Sequence, residues 1–238
     1  MTLLLICCGA FAATFVGGSF ALKFRDKLHL ILGFSAGAVA GVALFDLLPE
    51  AITLGTKYYD ASTVALFVAL GLFGYLILDR LILLHTHDED DEHGAPRGYF
   101  GALTLSAHSF LDGIAIGVGF QASPAIGLAV TAAVLTHDFS DGINTVNLIL
   151  RNKGSWREAK RWLLVDALAP VLGVISTRFF SIPESKIGLL LAVFVGSFLY
   201  LSASDLIPES HHRHPRALTT VMTLIGALVL WGVSRLLY

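Results

Sequence analysis

The sequence predicts an all-α polytopic membrane protein. Eight transmembrane helices are expected, with an inverted repeat (spans 1–3 and 6–8) around a central pair (spans 4 and 5). Three observations carry this. First, the 238 residues are 55% hydrophobic and only 14% charged, where a soluble domain carries about 25% charge, and the mean hydropathy is +0.73. Second, the charges cluster, leaving continuous apolar runs of about 20 residues, the length a helix needs to cross a bilayer. The runs lack the strict alternation of a barrel strand. Third, Asp46-Leu47-Leu48-Pro49-Glu50 recurs as Asp205-Leu206-Ile207-Pro208-Glu209.

The spans follow in order as 3–22, 29–54, 61–84, 99–121, 124–150, 158–180, 186–208 and 216–237. Span one has no basic residue before its apolar run. The first positive charge is Lys23, so the segment reads as a retained helix and not as a signal peptide. Cys7 and Cys8 lie side by side within it as small apolar residues, and they offer no disulfide framework between distant elements. Span two closes on the first acidic-proline pentapeptide. Span three ends at Asp79 and Arg80, placed to snorkel to the interface. A histidine- and acid-rich stretch follows, and residues 85–98 are expected to form a flexible loop too polar to fold alone. Spans four and five carry the motifs described below. Basic residues Arg151, Lys153, Arg157, Lys160 and Arg161 separate spans five and six. Span seven closes on the second pentapeptide, and His211, His212 and His214 lead into span eight. The whole chain, 1–238, reads as one transmembrane domain.

Loop charge sets the orientation. With both termini extracytoplasmic, twelve of the Lys and Arg residues fall inside and only Lys57, Arg178, Lys186 and Arg235 outside, as the positive-inside rule requires. Spans two and seven then run in opposite directions, so the two pentapeptides end on opposite faces. That is the sequence trace of an inverted-topology repeat. Proline in each removes a backbone hydrogen bond and loosens the turn beside it. Asp46, Glu50, Asp205 and Glu209 are therefore candidate ligands at the entrance and exit of a cation path.

Two histidine-aspartate motifs occupy the central pair. They read His108-Ser109-Phe110-Leu111-Asp112-Gly113 and His137-Asp138-Phe139-Ser140-Asp141-Gly142. Histidine and carboxylate at i and i+4 share one helix face. An ionisable residue at mid-membrane costs about 2.5–3.5 kcal/mol on insertion scales, so it needs a partner and implies a task. Packed face to face, His108, Asp112, His137, Asp138 and Asp141 offer two imidazoles and three carboxylates, with Ser109 and Asn144 as auxiliary groups. This sulfur-free N/O set suits Zn²⁺, Fe²⁺, Mn²⁺, Co²⁺ or Cd²⁺ better than Cu⁺, and Mg²⁺ or Ca²⁺ would take oxygen alone. A proton relay and a structural ion pair compete with metal ligation on the residues alone. His85, His87, His93, His211, His212 and His214 crowd the inner face, where mixed with acids they form a loose acceptor for such metals.

At these residues the chain resembles the ZIP (Zrt-, Irt-like protein) family of metal-ion transporters, as a divergent member, over nearly its full length. The family's span-four motif has the form His-Asn-x-Pro-Glu-Gly, and its span-five motif varies around His-Glu-x-Pro-x or Gln-Asp-x-Pro-Glu-Gly. Here Ser109 stands for asparagine, Leu111 and Ser140 for prolines, and aspartates for glutamates. Ala38 or Val39 occupies the place of a methionine that some members carry in span two. The resemblance implies that His108, Asp112, His137, Asp138 and Asp141 ligate a one- or two-ion centre. It also implies inward transport of a divalent metal, which is substrate and not cofactor. The expected function is therefore a divalent transition-metal transporter working by alternating access, and not an enzyme. The alternative is an intramembrane metal-dependent hydrolase, which would need an open water position and a general base; span five lacks His-Glu-x-x-His. The expected partners are metal ions and the lipid bilayer, with a homodimer as the candidate assembly and no nucleic acid. A prokaryotic inner membrane is the expected location.

Overall fold

A run of apolar residues in hydrocarbon can satisfy its backbone N–H and C=O groups only by staying helical from one face to the other. The computed structural model follows this rule, and it describes residues 2–20, 28–86, 94–211 and 217–237. Eight helical rods are present among them. They are α1 (Thr2–Phe20), α2 (28–55), α3 (Ala61–Thr86), α4 (Gly94–Ala122), α5 (Pro124–Arg151), α6 (Trp156–Ser176), α7 (184–211) and α8 (Ala217–Leu237). Each coincides with one span expected from sequence. Residues 2–19, 32–55, 98–122 and 184–204 are long and apolar enough to cross a membrane by themselves, and 61–77 and 217–232 are shorter apolar stretches. His87 and His93 of the acidic loop, and His212 and His214, lie outside the described residues, whereas 94–98 are already helical.

Local signals set the rod ends. Asp60 Oδ1 accepts from the Thr63 amide at 2.9 Å and starts α3. Ser123 caps α5 by accepting from the Ile126 amide at 3.2 Å, with Pro124 at the first helical position, where a missing N–H costs nothing. Ser155 and Glu158 form a reciprocal capping box at the start of α6. Tyr99 of α4 donates to Glu158 Oε1 and ties the two starts together.

The pentapeptide repeat has a structural counterpart. Just before Pro49, α2 passes through a π-turn, Ala43–Leu47, in which the Leu48 amide donates to the Ala43 carbonyl five residues back. Just before Pro208, α7 does the same over Leu201–Leu206, and the Ile207 amide donates to Ser202. The proline has no N–H to continue the ladder, and a widened turn absorbs the mismatch. Asp46 and Asp205 both sit inside these turns.

Packing repeats the symmetry. α2 lies on α8 and α3 on α7; α1 lies on α5 and α4 on α6. Exchanging α1 with α6, α2 with α7, α3 with α8 and α4 with α5 converts each contact into its mate. Glycines make the closest approaches in all four pairs. A Cβ on Gly37 would meet the Thr223 carbonyl oxygen at 1.7 Å, and one on Gly226 the Phe34 oxygen at 2.1 Å. Gly71 faces the Val193 oxygen and Gly196 the Val68 oxygen, both at 2.0 Å. Gly17 faces Phe139 at 2.0 Å and Gly142 faces Thr14 at 1.9 Å; Gly113 faces Pro170 at 2.1 Å and Gly173 faces Phe110 at 2.2 Å. Backbones can approach this closely only where no side chain intervenes, which is how helices associate in lipid. The rods thus form two groups of four, α1/α4/α5/α6 and α2/α3/α7/α8. They meet along a central seam where α2 lies against α5 and α4 against α7.

Candidate metal centre

His108 and Asp112 are one turn apart on α4, and His137 and Asp141 one turn apart on α5, so each pair shares a face. Neither helix breaks at the motif, in keeping with Leu111 and Ser140 standing where prolines would otherwise interrupt the ladder. The tight crossings at Gly113 and Gly142, the last residue of each motif, set both helices deep within their group. His108, Asp112, His137 and Asp141 come together, each offering one ligand atom, and all four atoms lie within 4.8 Å of one another. All four residues are buried.

Asp112 is the centre of the group. Its Oδ2 lies 3.1 Å from His108 Nε2 and 3.2 Å from His137 Nε2. Asp141 Oδ2 lies 3.8 Å from His137 Nε2. In a tetrahedron with metal–ligand bonds of about 2.1 Å, neighbouring ligand atoms stand about 3.4 Å apart. The observed separations straddle that value. Two neutral imidazoles and two carboxylates also carry a charge of −2, which a divalent ion cancels. Without such an ion or protons, the same charges lie in a dry interior.

The far nitrogens of the imidazoles are fixed as well. His137 Nδ1 donates to the Ala133 carbonyl at 2.9 Å, leaving Nε2 for the centre. His108 Nδ1 shares a hydrogen bond of 3.1 Å with the Tyr75 hydroxyl of α3. The Tyr75 ring stands perpendicular to the His108 ring, and Phe198 of α7 stands edge-on to His137.

The other sequence candidates distribute as follows. Asp138 is fully buried beside the group, and neither carboxylate oxygen has a hydrogen-bond partner among the described residues. Ser109 turns away to α6, donating to Asp166 Oδ1 at 2.8 Å. Asn144 is half-buried outside the four-donor group. Asp46 is buried in its π-turn and Glu50 is half-buried one turn on. Asp205 and Glu209 occupy the corresponding backbone positions of α7, and the side chains of both, with those of His85 and His211, lie outside what the structure describes.

Two residues escaped the sequence reading. Asp166 of α6 is fully buried and accepts from Ser109 and from Thr145 Oγ1, the latter at 2.9 Å, so one carboxylate joins α4, α5 and α6. A lone aspartate within Trp162–Pro170 was itself a signal, because an intramembrane carboxylate calls for an explanation. Tyr75 gave none, being one aromatic in an apolar helix.

Eight membrane-length rods related by an inverted repeat, with a buried histidine-aspartate centre at the seam, define the class of multi-span carriers with an intramembrane cation site. Residues 83–234 match the family model described as ZIP zinc transporter. The chain is 29% identical to the zinc transporter ZupT of Corynebacterium efficiens, over 95% of this chain and 93% of that protein. It is 26% identical to ZupT of Streptococcus mutans over 92% of this chain and 90% of that one. Human zinc transporter ZIP4 shares 31% identity over 58% of this chain and 22% of its own length. The chain belongs to the ZIP family. These relatives are transporters, and they lend the hydrolase alternative no support.

Proposed function

We propose that this protein carries a divalent transition metal, zinc foremost, across the membrane into the cytoplasm, and that His108, Asp112, His137 and Asp141 hold the ion in transit. The observation that carries this reading is the four-donor group, with one carboxylate oxygen shared between two imidazoles at distances a tetrahedral ion would span. Imidazole with carboxylate, and no sulfur, favours zinc and its first-row neighbours. Zinc is placed first because the curated relatives are zinc transporters. Asp138 supplies a further carboxylate to the ion or takes a proton.

The ion enters past Asp46 and Glu50, loses water onto the central ligands, and leaves past Asp205 and Glu209 to the inner histidines. Each π-turn places an aspartate where backbone hydrogen bonding is already loosened. Movement of α1/α4/α5/α6 against α2/α3/α7/α8 along the seam opens the centre to one side at a time. Both termini face out, as the charge of the loops requires. The setting is the inner membrane of a prokaryote.

Zinc uptake into proteoliposomes by the wild type, Asp112→Asn and Asp141→Ala tests the reading. Uptake is expected in the wild type and loss in both variants. Equal uptake by all three refutes the centre as the path of the ion. A parallel series with Fe²⁺, Mn²⁺, Co²⁺ and Cd²⁺ ranks the substrates.

A further inference from the structure

The two imidazoles of the centre are oriented by different means. His137 is held by the carbonyl of Ala133, one turn back on its own helix. That partner travels with it wherever α5 goes. His108 is held by Tyr75, which stands on α3 in the other four-helix group. The Tyr75 ring also lies beside that of Tyr200 of α7, with centroids 5.4 Å apart.

A second polar link crosses near the centre. Ser35 of α2 donates to the Thr136 carbonyl at 2.6 Å, so its partner there is backbone. Gln121 reaches the segment after α6 at the far end of α4, where it accepts from the Ile182 amide at 2.9 Å. Gln121 thus reaches only the connector between α6 and α7, and of the two links described between the groups Tyr75 alone bonds a residue of the four-donor group.

We propose that Tyr75 is a positioning residue for the carried ion, aiming His108 Nε2 into the centre by its hydrogen bond to Nδ1, and that this hold exists only while the two four-helix groups stand as they do here. With an ion on Nε2, the His108 Nδ1–H donates to the Tyr75 oxygen. The bond fixes the ring plane and raises the donor strength of Nε2, the usual effect of an outer partner on a ligating histidine. When the groups slide, His137 keeps its carbonyl and His108 loses its phenol. The grip on the ion therefore weakens on one side of the transport cycle and not through it all. This inference rests on the transport reading for the sliding step, and on the ligand assignment for the rest.

The test compares zinc binding to the purified full-length protein with zinc uptake into vesicles, for the wild type, Tyr75→Phe and Tyr200→Leu. Tyr75→Phe removes only the hydroxyl. Its dissociation constant and half-saturating concentration are expected to rise about tenfold or more. Tyr200→Leu removes ring packing and leaves the hydroxyl, and both values are expected to stay within about twofold. With Co²⁺ as probe, the visible absorption bands of the bound ion are expected to shift in Tyr75→Phe and not in Tyr200→Leu. Unchanged binding and unchanged bands in Tyr75→Phe overturn the proposal, as does an equal loss in both variants, which would mark a packing role. Zinc binding by a wild type that shows no uptake refutes transport instead, while the Tyr75→Phe binding difference still decides the positioning role.

Discussion

Gly142→Ala puts a methyl carbon where the Thr14 carbonyl oxygen stands 1.9 Å away, with the Gly18 amide nitrogen at 2.9 Å. Both obstacles are backbone, so neither can rotate aside. Ordinary contact begins near 3.4 Å, and α1 and α5 must part by about 1.5 Å to reach it. Overpacking of this kind costs about 1–3 kcal/mol. For a chain of this size that is a fall of about 2–4 °C in melting temperature for each kcal/mol. The movement also carries Asp141, the preceding residue, by more than the roughly 0.5 Å that a prearranged site tolerates. Zinc affinity should drop along with stability. The same substitution at Gly74 or Gly232 meets nothing within 4 Å, and alanine in a helix interior there should be neutral or stabilising by about 0.5–1 kcal/mol. The assay is thermal unfolding of the purified variants in one detergent, with zinc binding measured on the same samples. If Gly142→Ala melts with Gly74→Ala and binds zinc like the wild type, the glycine crossings do not hold the fold.

Other perturbations have equally definite outcomes. Ser109→Ala and Thr145→Ala each strip a hydrogen bond from the buried Asp166. Each should lower stability by about 1–3 kcal/mol, read by denaturant or thermal unfolding; a loss below 0.5 kcal/mol in both would mean water replaces the hydroxyls. Stripping metal with a chelator should lower the melting temperature, and zinc at about 100 times its dissociation constant should restore about 2.7 kcal/mol; Asp112→Asn should abolish that gain. At the start of α3, the Thr63 hydroxyl and amide and the Ser62 hydroxyl hold the Asp60 carboxyl below its usual range. Its contribution is complete above the unfolded value of about 3.9 and fades as pH falls through the lower folded value. The melting difference between wild type and Asp60→Ala should therefore be present at pH 6 and vanish in strong acid.

Hydropathy was enough to find all eight rods, because lipid leaves a long apolar segment no choice but the helix. It missed the lengths at the polar ends. α4 begins at Gly94, five residues before its apolar run, since helical hydrogen bonding continues past the hydrocarbon edge. The paired pentapeptides announced the inverted repeat, and the loosened turn expected at each proline is a full π-turn. His108, Asp112, His137 and Asp141 were readable from i, i+4 spacing alone, because the helix period fixes which side chains share a face. The partners of Ser109 and Tyr75 were not readable. They depend on which rods become neighbours, and period within one helix says nothing about that.

Every described glycine that approaches another rod does so inside its own four-helix group; Gly188 against Gly55 and Gly117 against Thr177 follow the same pattern. Across the boundary the described links are side-chain hydrogen bonds, from Ser35 to the Thr136 carbonyl and between Tyr75 and His108. Each group is therefore stitched internally at backbone level, and no described glycine stitches it to its neighbour in that way. Sliding one group along the other would therefore break those two hydrogen bonds without parting a glycine crossing, and it would do so beside the buried histidines and aspartates.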